Sequence, residues 1–105
     1  MTVSIKGSGK GGRNQEIVLS AVQELRAMKD VMFISIATDG EDGPTDAAGA
    51  VATQETFRRA ESLGLDDQLH LRENNAYPFF DPLGDLIKPG PSGTNVNDII
   101  LLFAF

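Results

Sequence analysis

An α/β domain, with a small mainly parallel or mixed sheet flanked by helices in a single layered unit, is the fold class this sequence predicts. Three observations predict it. A short strand of period 2, Thr2 to Ile5, runs into a turn built on Gly7, Gly9, Gly11 and Gly12. An amphipathic stretch follows, in which Ile17, Ala21, Leu25 and Met28 line one helical face with Val18 and Val22 beside them. Then Val31 to Ala37 forms a nearly continuous apolar run rich in β-branched residues, the pattern of a central strand covered on both sides. Strand, turn, helix, strand reads as a βαβ crossover, which joins parallel strands.

The remaining elements follow in chain order. The first helix is expected over 13–29. Residues 39–49 form an acidic, glycine-containing loop, and Ala47 to Val51 reads as the start of a short helix within or after it. Phe57, Ala60 and Leu63 repeat at helical spacing between Thr53 and Leu63, with Gly64 in the position of a C-terminal cap. Asp66 can cap another short helix reaching about Asn74. Tyr77, Phe79 and Phe80 read as core, and Pro78 can open a short helix at its first position. His70, in a polar helix, is expected at the surface. Pro89, Gly90, Pro91 and Gly93 enforce a loop over 87–97, and Ile99 to Phe105 reads as a buried last strand. No linker or repeat divides the chain, so residues 1–105 are expected to form one domain. Its first strand starts at Met1, as if cut from a longer chain at a domain boundary.

Composition narrows the function. A chain of 105 residues can build a real core without staples. The absence of cysteine excludes disulfides, a thiolate nucleophile and cysteine metal sites, and the single histidine excludes a multi-histidine cage. Fifteen acidic residues against nine basic ones leave a formal charge of −6, the opposite of a nucleic-acid footprint. No apolar run suits a membrane span, and the start is too short and glycine-rich for a secretory signal. A soluble, cytoplasmic protein is expected.

Ligands of open α/β sheets sit beyond the carboxyl ends of the strands, and here the polar loops gather the chemistry. The first carries Lys6, Lys10 and Arg13 among bare glycine amides just before a helix, which suits an anion. A sharp turn with solvated cations is the plainer alternative. Gly7, Gly9 and Gly12 also satisfy the dinucleotide spacing G-x-G-x-x-G; the helix opens on Arg13-Asn14-Gln15-Glu16 rather than on small apolar residues, but the second strand ends at an acid, Asp39, so a dinucleotide site stays the runner-up reading. Lys10 is followed by Gly11, which excludes a Walker A loop.

The second loop carries Asp39, Glu41, Asp42 and Asp46, hard oxygen ligands at a strand end that suit Mg²⁺, with Asp39 best placed. For Glu41 and Asp42 the competing reading is a solvated acidic turn, and for Asp46 a helix N-cap. The third loop, Lys88 to Asp98, packs Thr94, Asn95 and Asn97 into a rigid turn that can position a polar ligand or merely bond its own backbone.

Taken together, GKGGRNQE at 9–16, ATDGEDGPTDAAGA at 37–50, LGDLIKPGPSGTNVND at 83–98 and the apolar ending resemble the MOFRL domain, the C-terminal domain of type II glycerate 2-kinases. The resemblance covers nearly the whole chain. It implies a larger N-terminal α/β domain, absent from this chain, that supplies a catalytic lysine, with the active site in the cleft between the two. By position, it makes Arg13 the cleft arginine, Asp39 the cleft carboxylate and Asn95 the cleft amide. It implies ATP and glycerate as substrates. From the chemistry of the loops themselves, Asp39 is expected to hold Mg²⁺ or to orient the attacking hydroxyl, and Lys10, Gly11, Gly12, Thr94 and Asn97 to bind the anion or substrate. Some members are described as hydroxypyruvate reductases, so an NAD(P)-dependent reductase fragment stays open, as does a non-catalytic anion-binding module. Inactivity of the isolated chain is expected, as is self-association through a face its partner domain would cover.

Overall fold

The structure, a computed structural model, describes residues 10–37, 42, 45–88 and 98–104. Its elements are α1 (Arg13–Leu25), β1 (Val31–Ala37), β2 (Gly49–Thr53), α2 (Thr56–Ser62), α3 (Asp67–Arg72), α4 (Ala76–Phe80), β3 (Leu86–Ile87) and β4 (Asp98–Ala104). The expected strand over 2–5 lies outside the described residues. Among the described residues, no helix is long and apolar enough to cross a membrane.

The α/β class holds, but the sheet direction does not. Among the described residues four strands run in the order β3-β2-β1-β4, and every pairing between them is antiparallel. The cause is the connection after β1, which at 11 residues, 38–48, is shorter than the crossover a parallel neighbour needs. The helix expected from Ala47 is instead β2, in register with β1 through Ser35 opposite Ala50 and Ile36 opposite Gly49. Gly49 permits that approach, because a Cβ there would overlap the Ser35 carbonyl oxygen.

Helix α1 lies on the sheet. Val18, Leu19, Val22 and Leu25 are buried with Ala50 and Ala52 of β2, Ala60 of α2, Ala76, Phe79 and Phe80 of α4, and Leu83. Phe79 and Phe80 meet edge to face at 5.0 Å between ring centres and are core as expected, whereas Tyr77, expected with them, is only half-buried and lies outside the core. The helix stops at Leu25, short of the expected residue 29. Asp30 turns the chain back into β1 with φ 58°, and Met28, expected on the buried face, lies beyond the helix end and is 46% exposed.

Local capping acts as expected at two helices. Leu65 N–H donates to the Ala60 carbonyl and Gly64 N–H to that of Glu61, with Gly64 at φ 74°, closing α2. The Asp66 carboxylate accepts from the amides of Gln68 and Leu69 and opens α3. Pro78 sits third in α4 rather than first, where its missing N–H still costs no helical bond. His70 is half-buried rather than a surface residue. Its ring stands edge-on to Phe79 at 5.6 Å, and Nδ1 donates to the Asp66 carbonyl at 2.7 Å.

The last strand forms where expected but is not buried. β4 pairs with β1 at one end of the described strand order, and Ile99, Ile100, Leu101, Leu102 and Phe103 are all exposed, Leu102 by 66%. The helices gather around α1 on one face of the sheet, so β1 is half-buried along most of its length rather than covered on both sides.

Candidate active site

The register of the sheet brings the polar loops to one end. Ala37, the last residue of β1, is the cross-strand partner of Asp98, the first of β4. The chain therefore leaves β1 towards Asp39, and enters β4 from the segment holding Thr94, Asn95 and Asn97, at adjacent points. These four expected site residues lie outside the described residues; their attachment points lie side by side. The start of α1 is tied to the same end, because Ser35 Oγ near the end of β1 donates to Asn14 Oδ1 at 2.6 Å.

At that helix start sits a buried carboxylate. Asp42 is 1% exposed, where a solvated turn would leave it in water. Its Oδ1 accepts from the Asn14 amide at 3.0 Å and from Asn14 Nδ2 at 3.2 Å, and its Oδ2 accepts from the Gln15 amide at 2.8 Å. The first turn of a helix presents unpaired N–H groups at the positive end of its dipole, and here a carboxylate from a distant loop satisfies two of them. The N-cap residue, Gly12, has no side chain to do so. It also makes room, since a Cβ on Gly12 would overlap the backbone and carboxyl carbon of Asp42.

The loop is further secured by Thr45. Its hydroxyl donates to the Asp42 carbonyl at 2.7 Å and accepts from Gln15 Nε2 at 3.0 Å, while Asp42 N–H donates to the Ala47 carbonyl at 2.7 Å. Glu16, one residue on, is buried too. Burial raises its carboxyl above the ordinary glutamate range and the nearby Asp42 charge adds to this, against a hydrogen bond from Asn74 Nδ2 at 3.0 Å.

Of the expected anion-binding residues, Arg13 is exposed as the first residue of α1, and Lys10 is exposed just before it. Gly11 packs against α4, with Ala76 N 3.3 Å from where its Cβ would stand. Tyr77 then links this loop to the other two. Its amide donates to the Lys10 carbonyl at 2.9 Å and its ring carries the Lys10 ammonium 4.0 Å from its centre. Its hydroxyl donates to Asp46 Oδ1 at 2.6 Å, and Lys88 Nζ stands 5.2 Å from the ring centre and 3.8 Å from Asp46. The Tyr77 hydrogen bond holds the Asp46 carboxyl below its ordinary range, helped by the charge of Lys88. Asp46 is thus an exposed partner of Tyr77 and caps no helix.

Among the described residues no group of three or more acidic or histidine side chains could hold a metal ion, and both oxygens of Asp42 are taken by α1. Sequence reasoning missed Asp42, Asn14, Gln15 and Tyr77 as structural centres of the site. A hint was available in a glycine N-cap followed by a polar first turn, which leaves the helix amides in need of a remote acceptor.

The MOFRL family model matches residues 1–98. The D-glycerate 2-kinase of Thermotoga maritima is 44% identical over 99 residues, which cover 94% of this chain and 24% of that protein. The glycerate kinase of Homo sapiens is 47% identical over 109 residues, covering 97% of this chain and 21% of that protein. A crystal structure of the Thermotoga maritima glycerate kinase superposes with a TM-score of 0.95 at 42% identity, covering 99% of this chain and 25% of that one. The chain thus spans about a quarter of the length of the curated relatives it matches.

Proposed function

The chain belongs to the MOFRL family, and from that premise we propose that it forms the C-terminal side of the substrate cleft in an ATP-dependent glycerate 2-kinase. The observation that carries the reading is that Ala37 pairs with Asp98 while Asp42 grips the start of α1, so the described ends of the polar loops lie at one end of the sheet. Phosphoryl transfer needs positioned charge more than covalent help from the protein, and loops fixed on strands and a helix provide positions.

In this reading the 2-hydroxyl oxygen of D-glycerate attacks the γ-phosphorus of ATP, the bond to the bridging oxygen breaks, ADP leaves, and the hydroxyl proton is released to solvent. Arg13, at the mouth of α1, binds the glycerate carboxylate or the moving phosphoryl group, with Lys10 and the glycine amides beside it. Asp39 holds Mg²⁺ or orients the attacking hydroxyl, and Asn95, flanked by Thr94 and Asn97, fixes the substrate by hydrogen bonds. Mg²⁺ comes with the nucleotide as part of the substrate. Asp39 is the residue assigned to it. The opposite wall of the cleft, with the catalytic lysine implied by the family, belongs to an N-terminal kinase domain, and a cytoplasmic location fits these substrates.

Pairing this chain with the N-terminal domain of a glycerate kinase relative tests the reading. Glycerate-dependent release of ADP is expected from the pair and not from the chain alone. Turnover of hydroxypyruvate with NADH, without ADP release from ATP and glycerate, would establish the reductase instead. Robust kinase activity from the purified chain alone would show that a second domain is not needed.

A further inference from the structure

We infer that Asp42 is a positioning residue of this site: its carboxylate clasps the first turn of α1 to the loop after β1 and so fixes the helix start that carries Arg13. The inference rests on the kinase reading for the role of Arg13. Its geometry stands independently. Asp42 lies three residues after Asp39, and the amides it holds belong to Asn14 and Gln15, directly after Arg13.

Helix capping alone does not call for this arrangement. A serine, threonine or aspartate at position 12 would cap α1 locally, yet the chain places glycine there and brings the acceptor from a separate loop. A local cap ties a helix to itself, whereas this remote one ties the helix to the loop that carries the other proposed site residue. The clasp is fastened on both sides. Asp42 is held by its own N–H to Ala47 and by Thr45, and Asn14 is held through Ser35 to β1. Neither side can shift without breaking buried hydrogen bonds, and in a reaction governed by alignment a displacement of about 1 Å can cost on the order of a hundredfold in rate.

Charge is part of the fit. The donors facing the carboxylate are the two backbone amides and the Asn14 side-chain amide. A carboxamide in its place would turn an NH₂ group towards one of them, and two donors would face each other. Asp42→Asn keeps the shape and is therefore the informative variant, with Val22→Ala as a core truncation that touches neither loop nor Arg13.

In the chain paired with an N-terminal glycerate kinase domain, Asp42→Asn is expected to lower kcat/KM for glycerate about a hundredfold. In an Arg13→Ala background the same substitution should add less than about threefold, because no guanidinium remains to be positioned. Val22→Ala should lose melting temperature and keep kcat/KM within about threefold. Equal effects of Asp42→Asn in both backgrounds, or losses that merely follow melting temperature across the variants, would overturn the positioning role. Amide hydrogen exchange of the 105-residue chain supplies a readout free of activity. The Asn14 and Gln15 amides should be protected, and should lose at least about tenfold of that protection in Asp42→Asn while Val22 and Leu25 keep theirs. Unprotected Asn14 and Gln15 amides in the unsubstituted chain overturn the clasp whatever the activity. Protected amides in a paired enzyme that reduces hydroxypyruvate and does not phosphorylate glycerate overturn the kinase reading and leave the clasp standing.

Discussion

Replacing Gly12 by alanine adds one methyl group where the start of α1 meets Asp42. The backbone there is extended, at φ −147° and ψ 172°, so alanine meets no conformational penalty and the effect is purely one of contact. The new Cβ would overlap the carbonyl and the carboxyl carbon of Asp42, which cannot retreat without stretching its bonds to Asn14, Gln15 and Ala47. Hydrogen bonds to a charged acceptor contribute about 1.5–3 kcal/mol each, and weakening two of them while overpacking the contact costs about 3 kcal/mol. For a domain of this size that loss lowers the melting temperature by about 12 °C. Thermal unfolding followed by circular dichroism reads it directly. Gly11→Ala is the matched control: its Cβ would come 3.3 Å from Ala76 N, a contact that a small shift relieves, and less than about 1 kcal/mol is expected. A Gly12→Ala protein melting within about 3 °C of the parent, or no worse than Gly11→Ala, would refute the claim that Asp42 sits rigidly against the helix start.

Glu16 carries a raised carboxyl pKa, so its charged form is disfavoured in the fold. Its contribution is least costly at low pH, and the cost grows as pH rises from the ordinary glutamate range through the raised value. Glu16→Gln should therefore melt higher than the parent at neutral pH, with the difference shrinking in acid; a difference that grows in acid would reverse the assignment. Gly64→Ala places a side chain at φ 74° with nothing within 4 Å, so a loss of about 1 kcal/mol from backbone strain alone is expected by chemical denaturation, and Gly64→Asn should lose less. Phe79→Ala empties a fully buried site in the main core and should cost about 3–5 kcal/mol in the same assay. Inorganic phosphate should shift the Gly11 and Gly12 amide resonances in the parent and less so in Arg13→Ala; equal shifts in both would remove Arg13 from the anion site.

The elements legible in the residues alone were those whose causes are local. The 3.6-residue spacing from Ile17 to Leu25 places α1, the β-branched run places β1, Asp66 opens α3 and Gly64 closes α2, because periodicity and capping act within one or two turns of the chain. Composition also marked the three polar loops, though not how they meet. The antiparallel sheet, the strand at Gly49–Thr53, the exposure of β4, the burial of Asp42 and the junction at Tyr77 depend on partners far along the chain. Asp42 and Gln15 are 27 positions apart, and Tyr77 and Asp46 are 31 apart. Whether an aspartate in an acidic loop stays in water or becomes a buried cap depends on which helix end arrives beside it, and that is set only when β1, β2 and α1 have packed together. A local pattern can show that a carboxylate is present and that a helix start lacks an acceptor; only packing supplies one to the other.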